Sequence, residues 1–364
     1  MAISPDVLEK LRQETEYSTL NLRWMEAGSE WGVRVKPGRN GLTLESINVG
    51  SYGEIPEFAT TRTLRPRGAE AREDALVITL PAAKAETWAD ACAMLYEEAV
   101  QRQWSSATDI PWETIEPLPD DLELAMCQLC TFLTEVEFIA GDLPGKWMPY
   151  IATDHYEAAL FLGTQIMDEA RHLDVFRKRA MANGCGLLQG FGGSLSSLFG
   201  TMNFMEMSVF LHIVGEGFVQ SMFRMGEYIA QNEAEKRIFR LSAQDESRHV
   251  GFGVMHLKYV MEKEPERREE IHQYLDNFES LLGGDGGGVG GGQAAIAFNP
   301  ATTESLVILL GGGKDHVDEG VKKLMAVRKK QVNEYMHRLE VAGLSERRQR
   351  CKPAIVPFLD PPKN

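Results

Sequence analysis

Residues 168–172 read Asp168-Glu169-Ala170-Arg171-His172, and residues 245–249 read Asp245-Glu246-Ser247-Arg248-His249. Four of the five positions are the same, and both stretches fall inside long helical patterns. In each copy Glu and His are three residues apart, which on a helix places them about 60° apart on one face, close enough to hold one ion. A single such pair is an ordinary solvated helix face. Two matched copies are not, and each has a further glutamate upstream on an apolar helix. Glu216 lies in LHIVGEGFVQ, thirty residues before Glu246. Ahead of Glu169 stand Glu135 and Glu137, in FLTEVEFIAG, at spacings of 34 and 32. Residues two apart on a helix point about 200° apart, so one of this pair faces the centre. Glu137 has the spacing closer to that of the other half.

The expected metal-ligand set is therefore Glu137, Glu169, His172, Glu216, Glu246 and His249. Four carboxylates balance the charge of two divalent ions, and oxygen donors with imidazole suit iron, with manganese as the other candidate. Asp168 and Asp245 are placed to accept the second ring N–H of a metal-bound histidine, each from the opposite copy. Arg171 and Arg248 are placed to neutralise them. His212, four residues before Glu216, is either a further group of the site or an ordinary core histidine.

The whole chain fits this reading. It has 364 residues, 43% of them apolar, and a formal net charge of −15. That charge argues against a nucleic-acid partner, which needs clustered Lys and Arg. Five cysteines at irregular spacing (Cys92, Cys127, Cys130, Cys185, Cys351) give no disulfide framework. No run of about 18 uninterrupted apolar residues occurs, so no membrane-spanning helix is expected. The opening MAISPDVLEKLRQE lacks a basic and then apolar signal pattern, and the expected location is cytoplasmic.

Three regions are expected. Residues 1–82 form an irregular N-terminal cap, with a helix near Pro5–Arg23 and short strands at Trp31–Val35 and Leu76–Leu80. Residues 83–343 form the helical domain, with helices over 86–104, 120–142, 150–183, 197–231, 233–262, 265–282 and 317–343. Pro144-Gly145, Asn183-Gly184 and Gly190 to Gly193 are read as helix stops. The run GGDGGGVGGG (283–292) reads as a mobile loop. Residues 344–364 read as an extended tail.

With one Glu from each of two helices and Glu-x-x-His from each of two others, the sequence resembles the ferritin-like superfamily of ribonucleotide-reductase-type di-iron proteins. D-E-x-R-H in both halves is similar to the hydroxylase subunits of bacterial multicomponent monooxygenases. Those carry E-Y-x-A at the first glutamate, and Glu137-Phe138-Ile139-Ala140 is similar, which supports Glu137 over Glu135. The resemblance covers about residues 120–262.

It implies a mostly α fold, a ferritin-like four-helix bundle with extra helices, to which the residues themselves add the irregular N-terminal segment with short strands. It also implies two iron ions, homodimerisation, and activation of dioxygen against a small, largely apolar organic substrate. Glu137, Glu169, Glu216 and Glu246 would then be catalytic, with Gln220 at the place where the monooxygenases often carry Thr. Phe176 and Phe218 are the expected pocket residues. Electrons would come from a reductase or ferredoxin, since the chain has no Fe–S or flavin motif. The alternatives are a radical-generating small subunit and a non-catalytic iron- or ligand-binding protein. Against the former, Phe176 stands where reductase subunits usually carry a radical Tyr, and no Tyr follows Tyr335.

Overall fold

The computed structural model describes residues 4–14, 35–63, 67, 77–183, 185–190, 200–201, 203–283 and 300–361. The N-terminal helix is α1 (Pro5–Glu14); residues 15–34, with the rest of the expected helix and most of the expected strand at 31–35, lie outside the described residues. Helix α2 (Leu44–Ile47) and the strands β1 (Phe58–Thr63) and β2 (Val77–Ala83) complete the described part of the cap. The strands pair antiparallel, with an irregularity between Ala59 and Thr61. The cap is tied to the helices by Arg67. Its buried guanidinium pairs with Glu157 and donates to the carbonyls of Tyr52 and Asp154 at 2.7 and 2.8 Å.

From Cys92 onward long helices dominate: α3 (Cys92–Gln101), α4 (Asp120–Trp147), α5 (Tyr156–Ala182), α6 (Phe204–Ser208), α7 (Glu216–Ile229), α8 (Glu233–Lys263), α9 (Arg268–Gly283), α10 (Pro300–Gly311), α11 (Val317–Val341) and α12 (Arg347–Arg350). Asparagines start two of them. Asn203 and Asn232 accept the N–H of Glu206 and Glu235 at 2.7 and 2.9 Å, satisfying donors that a helix start leaves open. Four helices surround the centre: α4 beside α5, and α7 beside α8. Antiparallel packing sets their level, since Arg179 on α5 meets Glu123 near the start of α4, while Glu169 lies beside Glu137.

Four differences from the sequence expectation have physical causes. Pro144 does not stop α4; it lies inside it, buried beside Leu143, and that packing compensates for the lost backbone bond. The expected helix 197–231 is, over its described part, three pieces, because Val209–Gly215 winds as a π-helix between α6 and α7. Helix α10 was not anticipated; its Leu306 and Leu309 are buried with α4 residues. The tail is not extended over the surface: α12 forms, and Ile355 and Phe358 are buried. Arg347 anchors it, with Nε on Glu279 Oε1 at 3.0 Å. The Gly-rich run falls almost wholly in 284–299, outside the described residues.

By length and mean hydropathy the segment Asp120–Tyr150 is long and apolar enough to cross a membrane, but 67% of its apolar window is buried inside this fold. It also carries Glu137 into the interior.

Candidate metal centre

The six residues expected as ligands converge at one buried point. Each is at most 2% exposed. They form two overlapping groups, Glu137, Glu169, His172 and Glu246, and Glu169, Glu216, Glu246 and His249. In each group one donor atom per residue lies within 4.8 Å of all the others. Glu169 and Glu246, one from each D-E-x-R-H copy, belong to both. Glu135 belongs to neither.

The histidines have divided tasks. The Nδ1 atoms face the carboxylates: His172 Nδ1 is 3.1 Å from Glu169 and 3.3 Å from Glu246. His249 Nδ1 is 2.9 Å from Glu169 Oε1, an oxygen that nonetheless makes no hydrogen bond. The Nε2 atoms face outward and cross between copies. His172 Nε2 meets Asp245 Oδ2 at 3.2 Å, and His249 Nε2 meets Asp168 Oδ2 at 3.3 Å. The arginines close this outer layer. Arg248 Nη2 reaches Asp168 and Asp245 at 2.8 and 2.6 Å. Arg171 pairs with Asp168 and, at 3.1 Å, with Asp245.

Electrostatics follow from burial of this much negative charge. Burial, with Glu169 adding to it, raises the Glu137 carboxyl well above the carboxylate range. Burial and Glu246 do the same to Glu216. Burial also opposes ionisation of Glu169, but the imidazoles of His249 and His172 outweigh it and hold the carboxyl below its ordinary value. For His172 burial disfavours the charged ring, yet its bonds to Asp245 and Glu169 raise it well above an ordinary histidine. His249 is raised likewise, against burial, by Glu169 and Asp168. The upward shifts all run toward less net negative charge buried at the centre.

No family model matches the chain, and no curated protein matches it in sequence. Solved structures do. A variant of an R2-like ligand-binding oxidase with an aerobically reconstituted Fe/Fe cofactor is 15% identical over 68% of this chain and 92% of that one, with a TM-score of 0.50. The chain has the ferritin-like fold. An R2-like ligand-binding oxidase without metal cofactor is 16% identical over 70% and 94% of the two chains, with a TM-score of 0.43. Another variant, with an aerobically reconstituted Mn/Fe cofactor, is 15% identical over 68% and 92%, with a TM-score of 0.46.

The donor set in this ferritin-like bundle fits metal. Both oxygens of Glu137, Glu169 Oε1 and Glu246 Oε1 are buried with no hydrogen-bond partner. Buried carboxylate oxygens without partners are costly unless a cation satisfies them. Oxygens of four carboxylates and two imidazole nitrogens aimed at one volume are able to hold two ions.

Other expected residues fall elsewhere. Gln220 is half-buried and outside both groups; the amide beside Glu216 is instead Gln165, whose Nε2 donates to Glu216 Oε1 at 3.1 Å. Phe176 and Phe218 belong to different apolar clusters. Phe176 packs against Phe223 and Phe239, with ring centroids 5.2 and 6.0 Å apart. Phe218 packs toward Tyr335 of α11 at 6.3 Å, in a separate apolar cluster. Being two residues from Glu216 turns Phe218 about 200° round the helix, away from the centre. His212 is in neither group; its Nε2 meets Gln165 Oε1.

Two residues had gone unnoticed. Trp104 donates its indole N–H to Asp245 Oδ2 at 2.7 Å and stacks at 6.3 Å on the His172 ring. It precedes α4 and has no periodic relation to the motif. Gln165 had a legible signal: it is four residues before Glu169, on the same helix face.

Proposed function

We propose that this chain is an oxygen-using di-metal oxidoreductase, with iron at both positions or one manganese and one iron. Glu137 and His172 would hold one ion, Glu216 and His249 the other, and Glu169 and Glu246 both. The observation that carries the reading is the set of buried, partnerless carboxylate oxygens facing two Nδ1 atoms. A pair of reduced ions held there would supply two electrons to dioxygen.

The chain's own residues prepare that place. Asp245 and Asp168 accept the Nε2–H of the two histidines, which fixes the tautomer and leaves each Nδ1 lone pair for an ion. Arg171 and Arg248 cancel the charge of these aspartates, so the outer layer adds little net charge. Phe161, Phe223 and Trp104 lie against the imidazoles and exclude water. The monooxygenase reaction, the apolar organic substrate and the reductase or ferredoxin donor belong to this proposal and rest on the sequence resemblance. The homodimer rests on it too, while the cytoplasmic location and the division at residues 82 and 343 belong to the proposal on the sequence's own patterning.

The test is metal analysis of the purified protein with oxygen uptake after anaerobic reduction. About two ions per chain and uptake on exposure to air are expected. Fewer than two ions per chain after loading, or no uptake by the loaded protein, overturns the proposal.

A further inference from the structure

Glu137 and Glu216 occupy equivalent places in the two halves, yet their surroundings differ. Neither oxygen of Glu137 has a hydrogen-bond partner. Glu216 Oε1 accepts an N–H from Gln165 at 3.1 Å. Gln165 is fully buried, and its other end is held as well, since His212 Nε2 lies 3.0 Å from Gln165 Oε1. Behind His212 the bonding continues. Ser208 Oγ lies 3.0 Å from His212 Nδ1 and 2.9 Å from His256 Nδ1. His256 Nε2 then meets the carbonyl of Ala85 at 3.1 Å. Every member of this chain of contacts is at most 3% exposed.

Donor counting fixes the His256 end of the chain. A backbone carbonyl only accepts, so His256 carries its hydrogen on Nε2 and leaves Nδ1 as an acceptor. Burial keeps both rings neutral: it lowers His256 to about 4 and His212 well below an ordinary histidine. The single Ser208 hydrogen therefore serves two Nδ1 acceptors in turn. When that hydrogen goes to His212 Nδ1, the proton of that ring sits on Nε2, where it meets Gln165 Oε1. The amide is then oriented with its NH2 end toward Glu216. The π-helical turn over Val209–Gly215 begins directly after Ser208 and contains His212. It sets the spacing of the serine and histidine that orient the amide.

We propose that Gln165 is a positioning residue for Glu216 alone, held at its other end by His212, whose ring Ser208 contacts in turn. The two metal positions are then unequal. One has a terminal carboxylate pinned by an amide. The other has Glu137, which no amide holds. This rests on the two-metal reading above.

The test uses the full chain loaded with Mn2+, with the affinity of each position measured by chelator competition and the two ions distinguished by electron paramagnetic resonance. Ser208→Ala, which touches no metal ligand, and Gln165→Leu should each weaken one position about tenfold, the factor one buried hydrogen bond is worth. The other position should keep its affinity, and Ser208→Thr, which restores the hydroxyl, should return the wild-type pattern. Equal weakening of both positions, or no change in Ser208→Ala, overturns the proposal. Should Gln165→Leu fail to fold, Ser208→Ala decides alone. Wild-type protein that binds fewer than two Mn2+ ions would instead overturn the metal reading itself, so the two failures are distinguishable.

Discussion

Metal loading of this centre should expel protons, and their number can be worked out from the site. Glu137, Glu216, His172 and His249 are all raised, which favours a proton on each carboxyl and a positive charge on each ring in the metal-free protein, while Glu169 and Glu246 are lowered, which favours their ionised form. The six residues then sum to zero charge. Two divalent ions need all four carboxylates ionised and both imidazoles neutral at Nδ1, so about four protons leave per pair of ions. The apparent binding constant of the pair should fall by a factor approaching 10⁴ for each unit the pH drops, while all four groups hold their protons. The dependence should flatten once pH exceeds their raised values. The assay is anaerobic titration of Mn2+ into metal-free protein at pH 7 in weakly buffered solution, with released acid followed by an indicator dye. Release of one proton or none per pair would refute this charge balance.

Other outcomes follow from the same coordinates. Metal-free protein should lose stability as pH rises above about 6.5, because the native state keeps protons on raised histidines and carboxyls that the unfolded chain has shed; thermal melts should show a falling Tm there, and a rising one would contradict it. Glu137→Ala and Glu216→Ala should each retain about one ion per chain by metal analysis, while Glu169→Ala and Glu246→Ala, which reach both groups, should retain none. Asp245→Ala strands two guanidiniums, the Trp104 indole N–H and His172 Nε2, so denaturant melts of the metal-free protein should show a loss of about 3–5 kcal/mol. Gly253→Ala would drive a methyl group into His212 and cost about 1–3 kcal/mol by the same measurement.

The six converging residues were readable because a helix turns spacing into direction: three residues keep Glu169 and His172 on one face, and the second copy repeats the rule. The choice between Glu135 and Glu137 needed the resemblance as well as spacing, since periodicity only says that one of them points inward. Phe218 shows where proximity in sequence misleads, because closeness to Glu216 along the chain says nothing about the angle round α7. Trp104 was hidden for the opposite reason. Its partner Asp245 is 141 residues away, and no local pattern announces a contact made by chain crossover. The π-helical turn was equally silent: its residues VFLHIVG are as apolar as any α-helical core segment. Pro144 was legible as a breaker, but burial against neighbouring helices outweighed its backbone cost.

The crossing of Asp168 to His249 and of Asp245 to His172 has a consequence for how the molecule comes together. Neither copy of the motif carries its own imidazole acceptor, so half of the chain, expressed alone, would own neither a finished coordination sphere nor a settled tautomer. Ion capture therefore reports that helices separated by some seventy residues of chain have met in register, and the centre can serve as a built-in gauge of whether that meeting has taken place.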